Sequence, residues 1–463
     1  MKILNLQTKG VTTAALILGI SSLVSAVLGL FRDRLLAGRF GAGDELDIYY
    51  AAFRIPDFVS MVLIMGSISA ALVPMFSEYL TRDRQAAWRF FSNVFNIIIS
   101  FLIAACIILA IFAPQLMALI TPGFSPEKRD LVVLLTRIMF LSPILLGTSN
   151  IISSVLQVFG RFFITSLSPV LYNLGIIIGI VWFVPMWGLP GLAWGVALGA
   201  FLHLIVQVSV LFKVGFKYKN IFQLSDPGFK KMALLTIPRS IGLAASQINF
   251  IVVTAIASTL ASGGLAVFSL SESLSRPLLI LTGISFSTAA FPQLALAFSK
   301  EKKEKFQRIF SETSRKIIYL IIPASILLFF LREPVVSIIL NVGKFGATDS
   351  KMVAACLGMF TFGLFARALD LFLTKAFYAI GDTKTPAKTS VMAMILNVGF
   401  CYLFIRLLSF DNVFQRFCVN FFKLDDLAGI QIIGLPLAMA LSAILQLAAL
   451  YWIFRRRLKK LNE

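Results

Sequence analysis

Predominantly apolar runs of about 20 residues or more recur from one end of this sequence to the other, and a helix of that length crosses a bilayer. Hydrophobic residues make up 58% of the chain and charged residues 14%, which leaves little to solvate the surface of a water-borne fold. Forty-four phenylalanines and a mean hydropathy of +0.89 suit lipid as the main solvent, where outward apolar side chains need no water. Charged breaks divide the chain into twelve predicted helices, at 10–38, 47–79, 87–119, 130–159, 162–186, 189–213, 230–259, 264–298, 306–340, 350–380, 385–408 and 428–454. The expected fold is therefore all-α, a polytopic membrane protein. Met1 to Lys9 lacks the small-residue cleavage site of a removable signal peptide, so the first run is expected to remain as a span.

A net charge of +20 could point to nucleic acid, but the cations sit in short connections beside apolar spans. That pattern is what the positive-inside rule produces. The even-numbered connections and both termini are rich in lysine and arginine, with the densest run from Lys300 to Lys316. The odd-numbered connections hold only Arg39, Lys128, Arg129, Arg332, Lys344, Lys351, Arg406, Arg416 and Lys423. Both termini are accordingly expected on the cytoplasmic side. Cys106, Cys356, Cys401 and Cys418 show no C-x-x-C spacing, so neither a metal centre nor a disulfide framework is expected.

The chain repeats itself. Ser69 to Pro74 (SAALVP) returns as Ser287 to Pro292 (STAAFP), each ending the second span of its half before a basic loop. Pro114 and Gly123 answer to Pro334 and Gly343, Gly160 to Gly381, and GLAWGVALGAFLHL from Gly191 to GLPLAMALSAILQL from Gly434. Each half then has six spans. Because six is even, both halves enter the membrane from the same side, giving parallel repeats around a central cavity, a transporter architecture. The expected division is an N-terminal lobe at 1–213, a basic cytoplasmic linker at 214–229 and a C-terminal lobe at 230–463. The outer connection Ser409 to Leu427, with four phenylalanines, reads either as a surface-lying segment or as a plain loop.

No nucleophile with its base, acid pair or ligand cluster is evident, so an enzyme is not expected, nor any cofactor or metal. His203, the single histidine, aligns with Gln446 of the second repeat and reads as a satisfied packing residue. Asp425-Asp426 reads as solvated charge. What remains is charge inside the spans, which is costly in lipid and marks function by default. In the first span Arg32, Asp33 and Arg34 project about 100° apart, so the three are not expected to share one face. In the seventh span Arg239 follows Pro238 and precedes Gln247 and Asn249. In the eighth, Glu272 and Arg276 stand four apart, in the favourable order for an ion pair, among Ser269, Ser271, Ser273 and Ser275. In the tenth, Arg367 and Asp370 are spaced to neutralise each other.

Several stretches resemble the MurJ (MviN) family of lipid II flippases, within the wider multidrug/oligosaccharidyl-lipid/polysaccharide exporter superfamily. They are LGLFRDRLLAGRFGAGDELDIYYAAFRIPD at 28–57, GSISAALVP at 66–74, SPVLYNLGIIIG at 168–179, GLAWGVALGAFLHLIVQ at 191–207, STAAFPQL at 287–294 and KAFYAIGDTKTP at 375–386. The resemblance implies a transporter that carries undecaprenyl-pyrophosphate-linked peptidoglycan precursor from the inner to the outer leaflet of a bacterial inner membrane by alternating access. Arg32, Asp33 and Asp47 match family positions, and Arg32 matches an arginine held to bind the head group. The substrate set expected here is Arg32, Arg239, Arg276, Asp33, Asp47, Glu272, Gln247 and Asn249. The chain departs from the pattern at Ala26 and Ser60, where well-known members have arginine, and at Glu272, which takes an arginine position. Val252 and Val253 stand in the region where some members have a sodium-linked aspartate, and twelve spans are read where the family commonly has fourteen. Expected partners are the polyprenyl-linked substrate, membrane lipids and cell-wall synthesis proteins, with the chain a monomer and no nucleic acid involved. The alternatives are export of another polyprenyl-linked glycan or of an organic cation, and a scaffold of a cell-wall synthesis complex that does not transport.

Overall fold

A computed structural model of the chain describes residues 11–62, 68–424 and 429–462. Among these residues every regular element is a helix, as a chain in hydrocarbon requires when each segment must satisfy its own backbone. Among the described residues nine helical stretches are long and apolar enough to span a membrane. The predicted spans at 10–38, 47–79 and 230–259 each include residues whose placement or side chains lie outside the description.

The chain divides into two compact units, Met1–Leu36 with Ile48–Gln247, and Ala37–Asp47 with Ile248–Glu463. The first is built from α1 (Val11–Phe40), α2 (Asp44–Ala52), α3 (Arg54–Ser60), α4 (Ile68–Arg82), α5 (Arg84–Ile111), α6 (Ala113–Ile120), α7 (Pro126–Met139), α8 (Leu141–Val158), α9 (Phe162–Ile178), α10 (Val184–Trp187), α11 (Pro190–Lys213) and the start of α12 (Pro227–Ser258). One end is filled by aromatic rings: Phe76, Trp88, Phe91, Phe159 and Phe216 contact one another at 5.3–6.1 Å between centroids. Asp83 starts α5 by accepting from the N–H groups of Gln85 and Ala86, both at 2.9 Å.

Helices α9 and α11 meet backbone to backbone. A Cβ at Gly175 would collide with Gly199, and one at Gly179 with Gly195, so the small-residue repeat in the sequence is a close-approach seam of the kind membrane helices use. His203, one turn past that seam, is 8% exposed and its Nδ1 lies 2.7 Å from Ser149 Oγ, a packing role as predicted.

The second unit contains α13 (Gly264–Leu279), α14 (Ser285–Ser299), α15 (Lys303–Phe330), α16 (Arg332–Leu340), α17 (Ala347–Ala379), α18 (Lys384–Ser409), α19 (Val413–Phe422) and α20 (Gly434–Asn462). Its core gathers Phe306, Phe310, Phe372, Phe377 and Phe454 with Leu364, Leu373 and Leu450. Where the first repeat has Gly199, this one has Ser442, whose hydroxyl donates to Asn397 Oδ1 of α18 at 3.4 Å. Pro74 and Pro292, the paired prolines of the repeat, both lie inside helices, α4 and α14. Within the predicted connection 409–427, the described residues 409–424 are no plain loop: α19 forms there, capped by Asn412 and anchored by buried Cys418 and Phe422. Arg332 lies over the rings of Phe329 and Phe422, 4.8 and 5.1 Å from their centroids. Asp425 and Asp426 lie outside the described residues.

The GDTKTP segment turns on Gly381, at φ +79°, and starts α18. Asp382 accepts from the N–H groups of Lys384 and Thr385 at 3.0 Å and from Thr385 Oγ1 at 2.6 Å, and pairs with Arg457 at 2.9 Å. Burial pushes its carboxyl up, but the Thr385 bonds and Arg457 together hold it below the usual carboxylate value. A depressed carboxylate contributes stability that is present above the unfolded value of about 3.9 and is lost as pH falls through the lower folded value. Asp382→Asn keeps the cap but loses the charge pairing with half-exposed Arg457, and should therefore cost at most about 1 kcal/mol near neutral pH. The gap to the parent should close on acidification below the unfolded value, as read from thermal unfolding in detergent at a series of pH values.

Candidate functional site

In the first unit the charge of α1 is organised around Arg32. Its Nε and Nη2 donate to Asp33 Oδ1 at 3.0 and 2.8 Å, and its Nη1 donates to Asn173 Oδ1 of α9 at 3.1 Å. Asn173 is itself fixed, its Nδ2 donating to Ser25 Oγ, Ser25 O and Pro169 O at 3.2–3.3 Å. Asp33 is 2% exposed, while the Arg32 side chain keeps 24% of its surface open. Arg32 and Asp33 leave the helix about 100° apart, and the long arginine stem curls back far enough for the guanidinium to reach the neighbouring carboxylate.

The result is an oriented cation that keeps 24% of its side-chain surface exposed. Tyr49 and Tyr50 of α2 lie within electrostatic range of Arg32, and the Tyr50 hydroxyl is buried with no hydrogen-bond partner. Asn173 and Tyr50 were not singled out in the sequence. Asn173 lies in the SPVLYNLGIIIG stretch, and a lone amide in an apolar run was the available signal.

In the second unit Glu272 is the centre of a three-residue cluster. Its Oε2 accepts from Arg276 Nη2 at 3.0 Å, the predicted pair, and its Oε1 lies 3.5 Å from Arg367 Nη2 of α17. Arg276 is 61% exposed, Arg367 22% and Glu272 10%. Arg367 is thus taken by Glu272 and not by Asp370 as the spacing suggested. Arg367 Nη1 and Asp370 Oδ1 are both buried without a hydrogen-bond partner. Spacing three apart on α17 allows contact, but a carboxylate arriving from α13 wins Arg367.

The remaining predicted residues lie elsewhere. Asp47 is buried and caps α13, accepting from the N–H of Gly263 at 2.9 Å and of Ala266 at 2.8 Å, within the segment 37–47 that belongs to the second unit. There a carboxylate meets the positive end of a helix. Asn249 Oδ1 accepts from Asn397 Nδ2 at 2.8 Å, which ties α12 to α18. Gln247 is half-buried. Arg239 is on α12, but its side chain lies outside the described residues. Among the described residues no group of three His, Cys, Asp or Glu side chains is placed to hold a metal ion.

With this geometry in view, the similarities to known proteins are specific. The chain is 30% identical over 381 residues to the probable lipid II flippase MurJ of Buchnera aphidicola subsp. Acyrthosiphon pisum, covering 81% of this chain and 75% of that protein. It is 31% identical over 399 residues to the probable lipid II flippase MurJ of Haemophilus influenzae, covering 82% and 78%. A solved lipid II flippase MurJ in an inward closed conformation superposes with a TM-score of 0.78 at 23% identity, over 96% of this chain and 90% of that one. An inward-facing multidrug resistance MATE family transporter of the MOP superfamily superposes at 0.75 with 15% identity, over 97% and 99%. At such identities the two structures speak for the fold. The family model of the lipid II flippase MurJ matches residues 36–463, nearly the whole chain, and the chain belongs to that family.

Proposed function

We propose that this chain moves lipid II from the inner to the outer leaflet of a bacterial inner membrane by alternating access, with both termini cytoplasmic. The observation that carries this reading is the match to the lipid II flippase family over residues 36–463. The chemistry of the first unit supports it. A pyrophosphate drawn through hydrocarbon needs a cation that is already desolvated and oriented, and Arg32, held by Asp33 and Asn173, is one. The polyprenyl tail stays in lipid and asks little of the protein.

In this scheme Arg32 is the principal head-group ligand, and Asp33 fixes its orientation. Arg276, 61% exposed, offers a second cation, and Arg239 a third. Gln247 and Asn249 supply neutral polar contacts, and Asp47 acts through its hold on α13. The reaction is transport without covalent change, and the chain works as a monomer. The test is leaflet exchange of fluorescently labelled lipid II in proteoliposomes containing this protein alone. Exchange well above that of protein-free vesicles is expected; a rate equal to theirs would overturn the proposal.

A further inference from the structure

Residues 214–226, between α11 and α12, run as a strap across the start of α5. Nothing about the segment is a spacer. Lys219 N–H donates to Ser92 Oγ at 3.3 Å, Asn96 Nδ2 donates to Lys219 O and Ile221 O at 3.2 and 2.9 Å, and Asn93 exchanges two bonds with Gln223 at 2.6 and 3.0 Å. Arg84 Nη2 secures the beginning, donating to Val214 O at 2.6 Å. Phe216 turns inward onto Trp88 and Phe91.

With its backbone and Phe216 committed inward, the strap turns a defined set of side chains outward. Tyr218, Phe222 and Leu224 are 56–58% exposed. Lys213, Lys217, Lys230 and Lys231 are exposed around them. The one acid in the strap, Asp226, is engaged locally, accepting from Phe229 N–H at 2.8 Å to start α12. Large apolar residues exposed outside a span, rimmed by cations of one sign, require an occupant. Exposed aromatic rings interspersed with lysines suit the headgroup level of a membrane, where rings sit among the glycerols and ammonium groups meet phosphates.

We propose that the strap is a docking surface for acidic phospholipids of the adjacent leaflet, with Tyr218, Phe222 and Leu224 seated in the interface and the four lysines on lipid phosphates. Because Ser92, Asn93 and Asn96 of α5 hold the strap, lipid bound there is coupled directly to that helix. A lysine brought to an acidic membrane surface is worth about fivefold in binding, so the charge term is large and sensitive to salt.

The test is hydrogen exchange of the strap amides in the full chain, reconstituted in nanodiscs of phosphatidylcholine with and without phosphatidylglycerol. Exchange at Lys219, Ile221 and Gln223 should slow at least fivefold when phosphatidylglycerol is present, and high salt should reverse it. Lys213→Glu/Lys217→Glu/Lys230→Glu/Lys231→Glu, all at exposed positions, should remove the phosphatidylglycerol dependence. Tyr218→Ser/Phe222→Ser should speed exchange in both compositions. Equal exchange in the two compositions, or a charge-reversed strap that still responds to phosphatidylglycerol, overturns the proposal. The first of those results would point to an acidic protein surface as the partner.

Discussion

Arg32→Ala/Asp33→Asn should fold normally and lose lipid II exchange by about ten- to a hundredfold, the range expected when one hydrogen-bonded charge contact to substrate worth roughly 1.5–3 kcal/mol is removed. The double substitution is the informative one. Asp33 is 2% exposed and owes its tolerable burial to the guanidinium beside it. Arg32→Ala alone takes the paired guanidinium from that carboxylate, and breaking a buried pair from one side costs about 3–5 kcal/mol. A loss of exchange by the single variant would then confound unfolding with transport. Replacing Asp33 with asparagine removes the buried charge and keeps its shape. Arg32→Lys adds a second discrimination, because an ammonium cannot keep a bond to Asn173 and present a flat fork to a pyrophosphate at once. It should retain stability and only part of the exchange. Thermal unfolding in detergent reports the fold, and labelled lipid II in proteoliposomes reports the rate. Full exchange by a folded Arg32→Ala/Asp33→Asn protein would remove Arg32 from the transport site.

The helices were legible in the sequence because crossing hydrocarbon is a property of each segment alone. The run predicted at 264–298 is observed as α13, one turn of wider helix at 280–284 and α14, ending at Ser299, and the run at 189–213 is α11, Pro190–Lys213. The glycine repeat from Gly191 was legible for the same reason: only small residues permit the contact with Gly175 and Gly179. Partnerships between helices were less so. Nothing local distinguishes Asn173 from Asn249, yet one holds an arginine and the other an asparagine, and the difference arises from which helix α9 and α12 each pack beside. Asp47 reads as a charge near a span; its use as a cap depends on where Gly263 arrives. Arg367 shows the limit of spacing rules. An i,i+3 acid was available in Asp370, and the carboxylate that reached Arg367 came from another element.

That partnership sets the second large effect. Glu272→Gln should destabilise the chain by roughly 2–3 kcal/mol, and most of the loss should come through Arg367, not through Arg276. Arg276 is 61% exposed, and an exposed i,i+4 pair contributes at most about 1 kcal/mol. Arg367 is 22% exposed, and its Nη1 already lacks a partner, so Glu272 is the neutralising group it has within α13 and α17. Arg276→Ala should consequently cost under about 1 kcal/mol. Glu272→Gln combined with Arg367→Met should recover much of the stability lost by Glu272→Gln, because the stranded cation goes with its partner. Midpoints of unfolding for the three variants and the parent would decide the matter. If Arg276→Ala costs as much as Glu272→Gln, or if removing Arg367 brings no recovery, Glu272 does not serve chiefly to neutralise Arg367. If the expected order holds, the Glu272–Arg276 bond contributes little to the fold, and Glu272 serves chiefly to hold Arg367.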